Sequence, residues 1–256
     1  MFSKAIVRPP DSRFAEGLTT AGLGKPILPK ALEQHARYCE ALEECGLSLT
    51  RLDPDPRYPD GTFVEDAAVL TPGCAILARP GAESRLGEVA AIREALARFY
   101  RSLFAIEVPG TVDGGDICEA EGHFFIGISD RTNEPGAEQL ASFLGKEGFS
   151  SSFVDIRNLR GILHLKSGIA YLGDRRLVLI DALARRHEFR GYDAVRVDST
   201  EEYAANCVRV NDAVLVAAGY PEIVKSLSNL GYRVLSLEMS EYRKMDGGLS
   251  CLSLRF

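Results

Sequence analysis

GLSCLSLRF at 248–256 reads as an apolar strand with nothing after it, and KAIVRPP at 4–10 reads as a strand with no hairpin of its own. Each leaves an open edge unless the other pairs with it, so the two are expected to complete one another and close the chain into a ring. The C-terminal stretch is also the last of five similar segments. VEDAAVL (64–70), GGDICEA (114–120), LHLKSGIA (163–170), ANCVRV (205–210) and LSCLSL (249–254) each read as a short strand opened by a polar or reactive residue. Those residues are Asp66, Asp116, His164, Asn206 and Cys251, spaced by 50, 48, 42 and 45 positions. Self-similarity at a near-constant period is the mark of a repeat architecture.

Each of the first four segments is followed by a turn and a second apolar run: CAILARP, HFFIGI, RRLVLI and AVLVAAG. A hairpin per unit is the reading. Helical periodicity follows three hairpins, at Val89, Ile92, Leu96 and Phe99, at Ala137, Leu140, Ala141 and Leu144, and at Val224, Leu227 and Leu230. Pro135 and Pro221 stand where a first helical turn accepts proline, and Gly148 and Gly231 where a left-handed cap is wanted. The third hairpin has only a short helix, near 181–189, and a further helix at 30–45 leads into LSLTRLD. Each helix is followed by another strand: FAIEVP, SFVDIR, AVRVD and YRVLSLE. The unit is strand, strand, helix, strand, and five of them closing on an axis give a five-bladed α/β propeller of pseudo-symmetric units. A doubly wound sheet would instead alternate single strands with helices.

The 256 residues and 27.9 kDa fit one large domain, and the ring takes residues 1–256 as a single catalytic domain. With 46% hydrophobic and 26% charged residues, disordered and fibrous classes are excluded. Thirty basic against 36 acidic side chains, net −6, argue against nucleic acid or an anionic membrane as partner and favour a cationic or zwitterionic small molecule. No secretory h-region opens MFSKAIVRPP and no run of about 18 apolar residues occurs, so a cytoplasmic protein is expected. The six cysteines are scattered without metal or disulfide spacing and should be reduced. Four unpaired histidines make a metal site unexpected, and no nucleotide motif is present. The oligomeric state stays open, with a homodimer as the commonest assembly.

Ring closure would gather Asp66, Asp113, Asp116, His164 and Cys251 at one mouth. A thiol, an imidazole that transfers protons near neutral pH, and carboxylates that orient the imidazole or hold a cation make a nucleophilic centre. Taken singly, Cys251 and His164 could each be core residues, and DGGD at 113–116 could be a turn. Glu65 and Asp66 are adjacent at the start of an apolar run, so alternation forces one of them inward, where it needs a partner. Arg85 and Arg131, each beside a hairpin end, are candidates for holding a carboxylate bidentately.

PDGTFVEDAAV (59–69), RPGAESR (79–85), GTVDGGD (110–116), LHLKSG (163–168) and EYRKMDGGLSCLSLRF (241–256), in this order and spacing, resemble the dimethylarginine dimethylaminohydrolases of the guanidino-group-modifying (pentein) superfamily. The likeness runs from EGLTT at 16 to the last residue and implies the same propeller fold. It implies hydrolysis of Nω-methylated arginines to citrulline and an alkylamine without a cofactor. Cys251 matches the nucleophile, His164 the general acid and base, and Asp113 the third, carboxylate member. Asp66 matches the carboxylate on the guanidinium, and Arg85 and Arg131 the pair on the substrate α-carboxylate. Asp60, with backbone oxygens near Leu18 and Met245, matches the site of the α-amino group. Glu65 and Ser250 are looser matches as groups lining the site, and EGLTTAGLGKP (16–26) matches a mobile lid. Phe63 and Leu163 neighbour the reactive residues and are candidate walls for the N-methyl groups. The alternatives are an arginine or agmatine deiminase and a non-enzymatic propeller, which would lack the cysteine, histidine and carboxylate set.

Overall fold

The pairing expected of the two chain ends is present, and it is antiparallel. In the computed structural model, which describes residues 1–256, β1 (Lys4–Val7) lies beside the last strand with Ala5 opposite Arg255 and Ile6 opposite Leu254. After α1 (Leu28–Glu44), β2 (Ser48–Arg51) joins β1 in parallel. The other four blades each occupy one continuous stretch of chain. They are β3 (Ala68–Leu70), β4 (Cys74–Leu77), α2 (Val89–Leu96) and β5 (Ser102–Ala105), then β6 (Ile117–Ala120), β7 (His123–Ile128), α3 (Glu134–Lys146) and β8 (Ser150–Asp155). Next come β9 (Ile169–Gly173), β10 (Arg176–Leu179), α4 (Asp181–Ala184) and β11 (Asp193–Arg196). The last are β12 (Val208–Val210), β13 (Ala213–Ala217), α5 (Pro221–Asn229) and β14 (Arg233–Leu237). A short α6 (Ser240–Arg243) precedes β15 (Leu254–Arg255). In four of the five three-stranded sheets the first pair is an antiparallel hairpin, in the fifth it is the antiparallel pair of chain ends, and in all five the helix crosses over to a parallel third strand. This is the five-bladed α/β propeller.

The central strands carry the core, because they have a strand on each side, a crossover helix on one face and the next blade on the other. β4 and β13 are buried at every position and β7 at all but its first, hence their unbroken apolar sequences. The third strands are mostly part-exposed and polar, with charged side chains at the rim guarding the open edges. The helices end where expected: Pro135 opens α3, whose N-cap Asn133 accepts from the Gly136 N–H, and Gly148 and Gly231 follow α3 and α5 at φ +86° and +87°.

One feature of the repeat differs from its sequence reading. The five reactive residues do not begin strands. Each lies in, or caps, a tight 3-10 turn that precedes the inner strand: 64–67, 114–116, 165–167, 202–205 and 250–252. Such a turn frees its side chains from the alternation of a strand, so consecutive residues can face opposite ends of the hub. Three of these side chains tie their blade to the turn of the next. Asp66 Oδ1 accepts from the Gly115 N–H, Asp116 Oδ1 from the Leu165 N–H and Asn206 Oδ1 from the Ser250 N–H, each at 2.9 Å.

Ile126 in β7 is fully buried among Val69, Ile117 and Leu140. Truncation to alanine is expected to lower stability by about 2–5 kcal/mol, seen as a lower urea midpoint with an unchanged slope. A loss below about 1 kcal/mol would show that the space between blades closes up after truncation.

Candidate active site

The 3-10 turns gather their polar side chains around a small cavity of about 30 Å³ lined by Leu18, Asp60, Phe63, Asp66, Arg85, Arg131, Leu163, His164, Met245, Asp246, Gly247 and Cys251. Ten of these belong to the set expected from sequence, and they come from separate turns brought together by ring closure. Cys251 sits in the turn 250–252 and His164 caps the turn 165–167; both are buried. The His164 Nε2 lies 3.0 Å from Asp113 Oδ2. Asp113 is fully buried and fixed from two other sides: its Oδ1 accepts from the Gly81 N–H at 2.9 Å, and its own N–H donates to Thr132 Oγ1 at 3.1 Å. Gly115 separates Asp66 from the imidazole, and no side chain would fit there. A Cβ at that position would come within 2.7 Å of His164 Nδ1 and 2.9 Å of Asp66 Oδ1.

Asp116 was expected at the same mouth and is not part of the lining. It is fully buried and accepts from Ser129 Oγ at 2.6 Å and Thr132 Oγ1 at 2.7 Å as well as from Leu165, so it supports the turn beside His164. Glu65 and Ser250 were expected to line the substrate site, yet their side chains turn to a second cavity, of about 770 Å³, along the inner strands. The Glu65 carboxylate is fully engaged there, with Lys166 Nζ at 2.6 Å, Ser250 Oγ at 2.8 Å and Arg255 Nη2 at 3.2 Å.

The two arginines differ. Arg85 is buried and ion-paired with Asp66 at 2.6 Å and Glu88 at 2.9 Å, and it donates to the Phe63 carbonyl at 3.1 Å. Of its five N–H groups only one, on Nη1, has no partner. Arg131 lines the cavity with no carboxylate in ion-pair range, so it is the cation there with open valence. The segment 16–26 lies closed over the opening. The Leu18 N–H donates to both Asp60 oxygens at 3.0 and 3.2 Å, and Asp246 accepts from the Thr20 N–H and from the hydroxyls of Thr19 and Thr20. Nothing in the sequence announces this latch, whose partners lie 226 residues apart.

Burial opposes a charged imidazole, but Asp66, Asp116 and Asp113 outweigh it and raise His164 to about 9. The thiol goes the other way from what a nucleophile needs: burial first, then Glu65 and Asp66, push Cys251 up to about 12, against weaker help from Gly248 and Lys166. Asp66 is held below the usual carboxylate range, because His164 and Arg85 prevail over its burial. Ligand atoms of Asp66, Asp113 and His164 lie within 4.8 Å of one another, a spacing that a divalent cation could use if it displaced Arg85 and the imidazole proton.

No family model matches the chain. The N(G),N(G)-dimethylarginine dimethylaminohydrolase of Pseudomonas aeruginosa is 47% identical across the whole of both chains. The enzyme of that name from Streptomyces coelicolor is 35% identical over 98% of this chain and 96% of its own. The chain belongs to the dimethylarginine dimethylaminohydrolase family. The solved structure of the Pseudomonas aeruginosa member, a cysteine-to-serine variant complexed with citrulline, matches at TM-score 0.97 over all of both chains. The N-terminal domain of ArgZ, an arginine dihydrolase from cyanobacteria, matches at TM-score 0.90 over all of this chain and 97% of its own; at 18% identity it shares the fold.

Because the folded state binds the His164 proton more tightly than an unfolded chain (about 9 against 6.5), this group's stabilisation is complete below about pH 6.5 and fades as pH rises through about 9. The expected loss is on the order of 3 kcal/mol. Urea unfolding of the protein and of His164→Asn at pH 6 and pH 10 checks it. An equal pH response in both would mean that His164 is not the group responsible.

Proposed function

We propose that residues 1–256 act as one catalytic unit that hydrolyses Nω-methylated arginines to citrulline and dimethylamine or methylamine. The observation that carries this reading is that Cys251 and the Asp113-paired His164 line one small cavity, beside a carboxylate for a guanidinium and an arginine without a partner. Family membership at 47% identity supports it.

Both reactants need activation. The guanidinium carbon shares its positive charge with three nitrogens and is a poor electrophile, and the thiol is neutral at pH 7. A guanidinium about 4 Å from the sulfur offers on the order of 4 kcal/mol at an effective dielectric of 20, or about three pH units on the thiol's titration. The substrate thus supplies the charge that the Asp66 and Glu65 carboxylates oppose. The Cys251 thiolate attacks the guanidinium carbon and forms a C–S bond. His164, already protonated, passes its proton to the alkylated nitrogen, the C–N bond breaks, and the amine leaves a covalent S-alkylthiouronium. Neutral His164 then takes a proton from water as its oxygen adds to the same carbon, and cleavage of the C–S bond releases citrulline and the thiolate. Asp113 holds the imidazole throughout.

Recognition follows from the lining. Asp66 faces the guanidinium, Arg131 and the remaining Nη1 proton of Arg85 take the α-carboxylate, and Asp60 with carbonyls near Leu18 and Met245 takes the α-ammonium. Phe63 and Leu163 are the apolar surfaces for the methyl groups. Agmatine would leave Arg131 idle, which favours an amino acid over an amine. The cavity is far too small for arginine, so the segment 16–26 must open for entry, and Asp60 must exchange the Leu18 N–H for the substrate. Six unpaired, buried cysteines suit a reducing compartment, and the cytoplasm is the location this reading assigns; no helix is long and apolar enough to cross a membrane. A homodimer is the assembly we propose on general frequency.

Supplied with asymmetric dimethylarginine, the protein is expected to release citrulline and dimethylamine in equal amounts, and Cys251→Ser to release neither. Absence of both products from the unmodified protein would overturn the reading. The protonation order gives a further expectation. With the histidine titrating near 9 and the thiol near 12, the thiolate–imidazolium form is a minor species whose share grows until His164 loses its proton. Accordingly kcat/KM should rise about tenfold per pH unit from pH 6 toward about 9 and then level off. A flat profile over that range would show a thiol already ionised before substrate binds.

A further inference from the structure

We propose that Asn206 is a positioning residue for the reaction: it fixes the distance between the turn that carries His164 and the turn that carries Cys251. The proposal rests on the assignment of these two residues as acid–base and nucleophile. Asn206 is buried, follows the turn 202–205, and lies outside the lining of the reaction cavity, so it acts only through its neighbours. Its Oδ1 accepts from the Ser250 N–H at 2.9 Å, while its Nδ2 donates to Ser250 Oγ at 3.0 Å and to the Lys166 carbonyl at 2.8 Å. Ser250 immediately precedes the nucleophile, and Lys166 stands two residues after the imidazole.

The partners dictate the sense of the amide. A backbone N–H can only donate and a carbonyl can only accept, so a flipped Asn206 would lose two bonds and face like against like. There is also no slack around it, since a Cβ on Gly248 would come within 2.3 Å of Oδ1. The two remaining stitches between blades, from Asp66 to Gly115 and from Asp116 to Leu165, end on either side of the imidazole. Glu65 also reaches both catalytic turns, but only through the side chains of Lys166 and Ser250; Asn206 is the side chain that bonds to backbone groups of both, the Lys166 carbonyl and the Ser250 N–H.

Asn206→Ala should lower kcat on the order of 10- to 100-fold while KM stays within about threefold, because a reacting pair displaced by a fraction of an ångström loses rate and the substrate contacts are untouched. Rates are normalised to the number of Cys251 sites that a 2-haloacetamidine alkylates, so a partly unfolded preparation does not register. Asn206→Asp keeps the volume and the acceptor for the Ser250 N–H but places an anion near the thiol. Alkylation of its Cys251 by iodoacetamide should shift to higher pH by about one unit or more. Unaltered kcat per site in Asn206→Ala, or an unaltered alkylation profile in Asn206→Asp, would overturn the proposal. The alkylation measurement needs no substrate, so it still decides the matter if the unmodified protein releases no citrulline, a result that would refute the function alone.

Discussion

Two rungs of antiparallel pairing hold the chemistry in place. Ile6 opposite Leu254 and Ala5 opposite Arg255 join the ends of the chain, backed by Phe256 bonding to Lys4 in both directions at 2.8 and 2.9 Å. The nucleophile lies only three residues before the first of these rungs. Unpaired, Cys251 would sit on a loose terminal tail; paired, it is one of five turns around a common axis. Ile6 and Leu254 are buried in the same cluster as Val64, Ala67 and Ala75, and burying two such side chains contributes roughly 1.5–3 kcal/mol each. The closure is hydrophobic in origin, and its consequence is catalytic.

Within the hub, charge is concentrated in a way that stability alone does not explain. Asp66, Arg85, Glu88 and Asp113 are all buried, and buried ion pairs commonly contribute little or nothing net once desolvation is counted. Their arrangement does explain the protonation states. The carboxylates keep the imidazole charged, and burial with Glu65 and Asp66 keeps the thiol neutral, a resting state in which the nucleophile is masked. A cationic ligand reverses the balance at the thiol. The hub thus discriminates in favour of the charge it is built to receive, before any shape is read. Three of the five hub side chains hold the backbone of the next blade's turn, and the other two, His164 and Cys251, carry the reactive atoms.

The five blades were legible in the sequence because hairpin, helix and strand recur at a near-constant period, and the outline of the site was legible because ring closure leaves the polar openings nowhere else to go. What sequence could not give was direction. Glu65 and Asp66 are neighbours, as are Ser250 and Cys251, and in a 3-10 turn the two members of each pair face opposite cavities. Reading these segments as strand openings put Asp116 at the mouth, and the family resemblance put Glu65 and Ser250 with the substrate. The partners that fix their actual orientation, Lys166 and Arg255 for Glu65 and Ser129 and Thr132 for Asp116, are distant in sequence or hidden in ordinary turns. Arg85 was expected to be available, and three-dimensional packing surrounds it with acceptors.

The closed segment 16–26 adds a constraint on the order of events. With the lid down, Asp60 is satisfied by the Leu18 N–H and the cavity has room for little more than a water molecule. On the proposed assignment, substrate enters when that bond and the Asp246 latch both open, and the α-ammonium takes the place of the Leu18 N–H on Asp60. In the proposed mechanism, closure over bound substrate excludes water, which strengthens the attraction between thiolate and guanidinium. Asp246 is placed to couple these steps, because it lies two residues from the Gly248 that presses on Asn206 and five from Cys251 itself. The loop that latches the lid is the same loop that delivers the nucleophile.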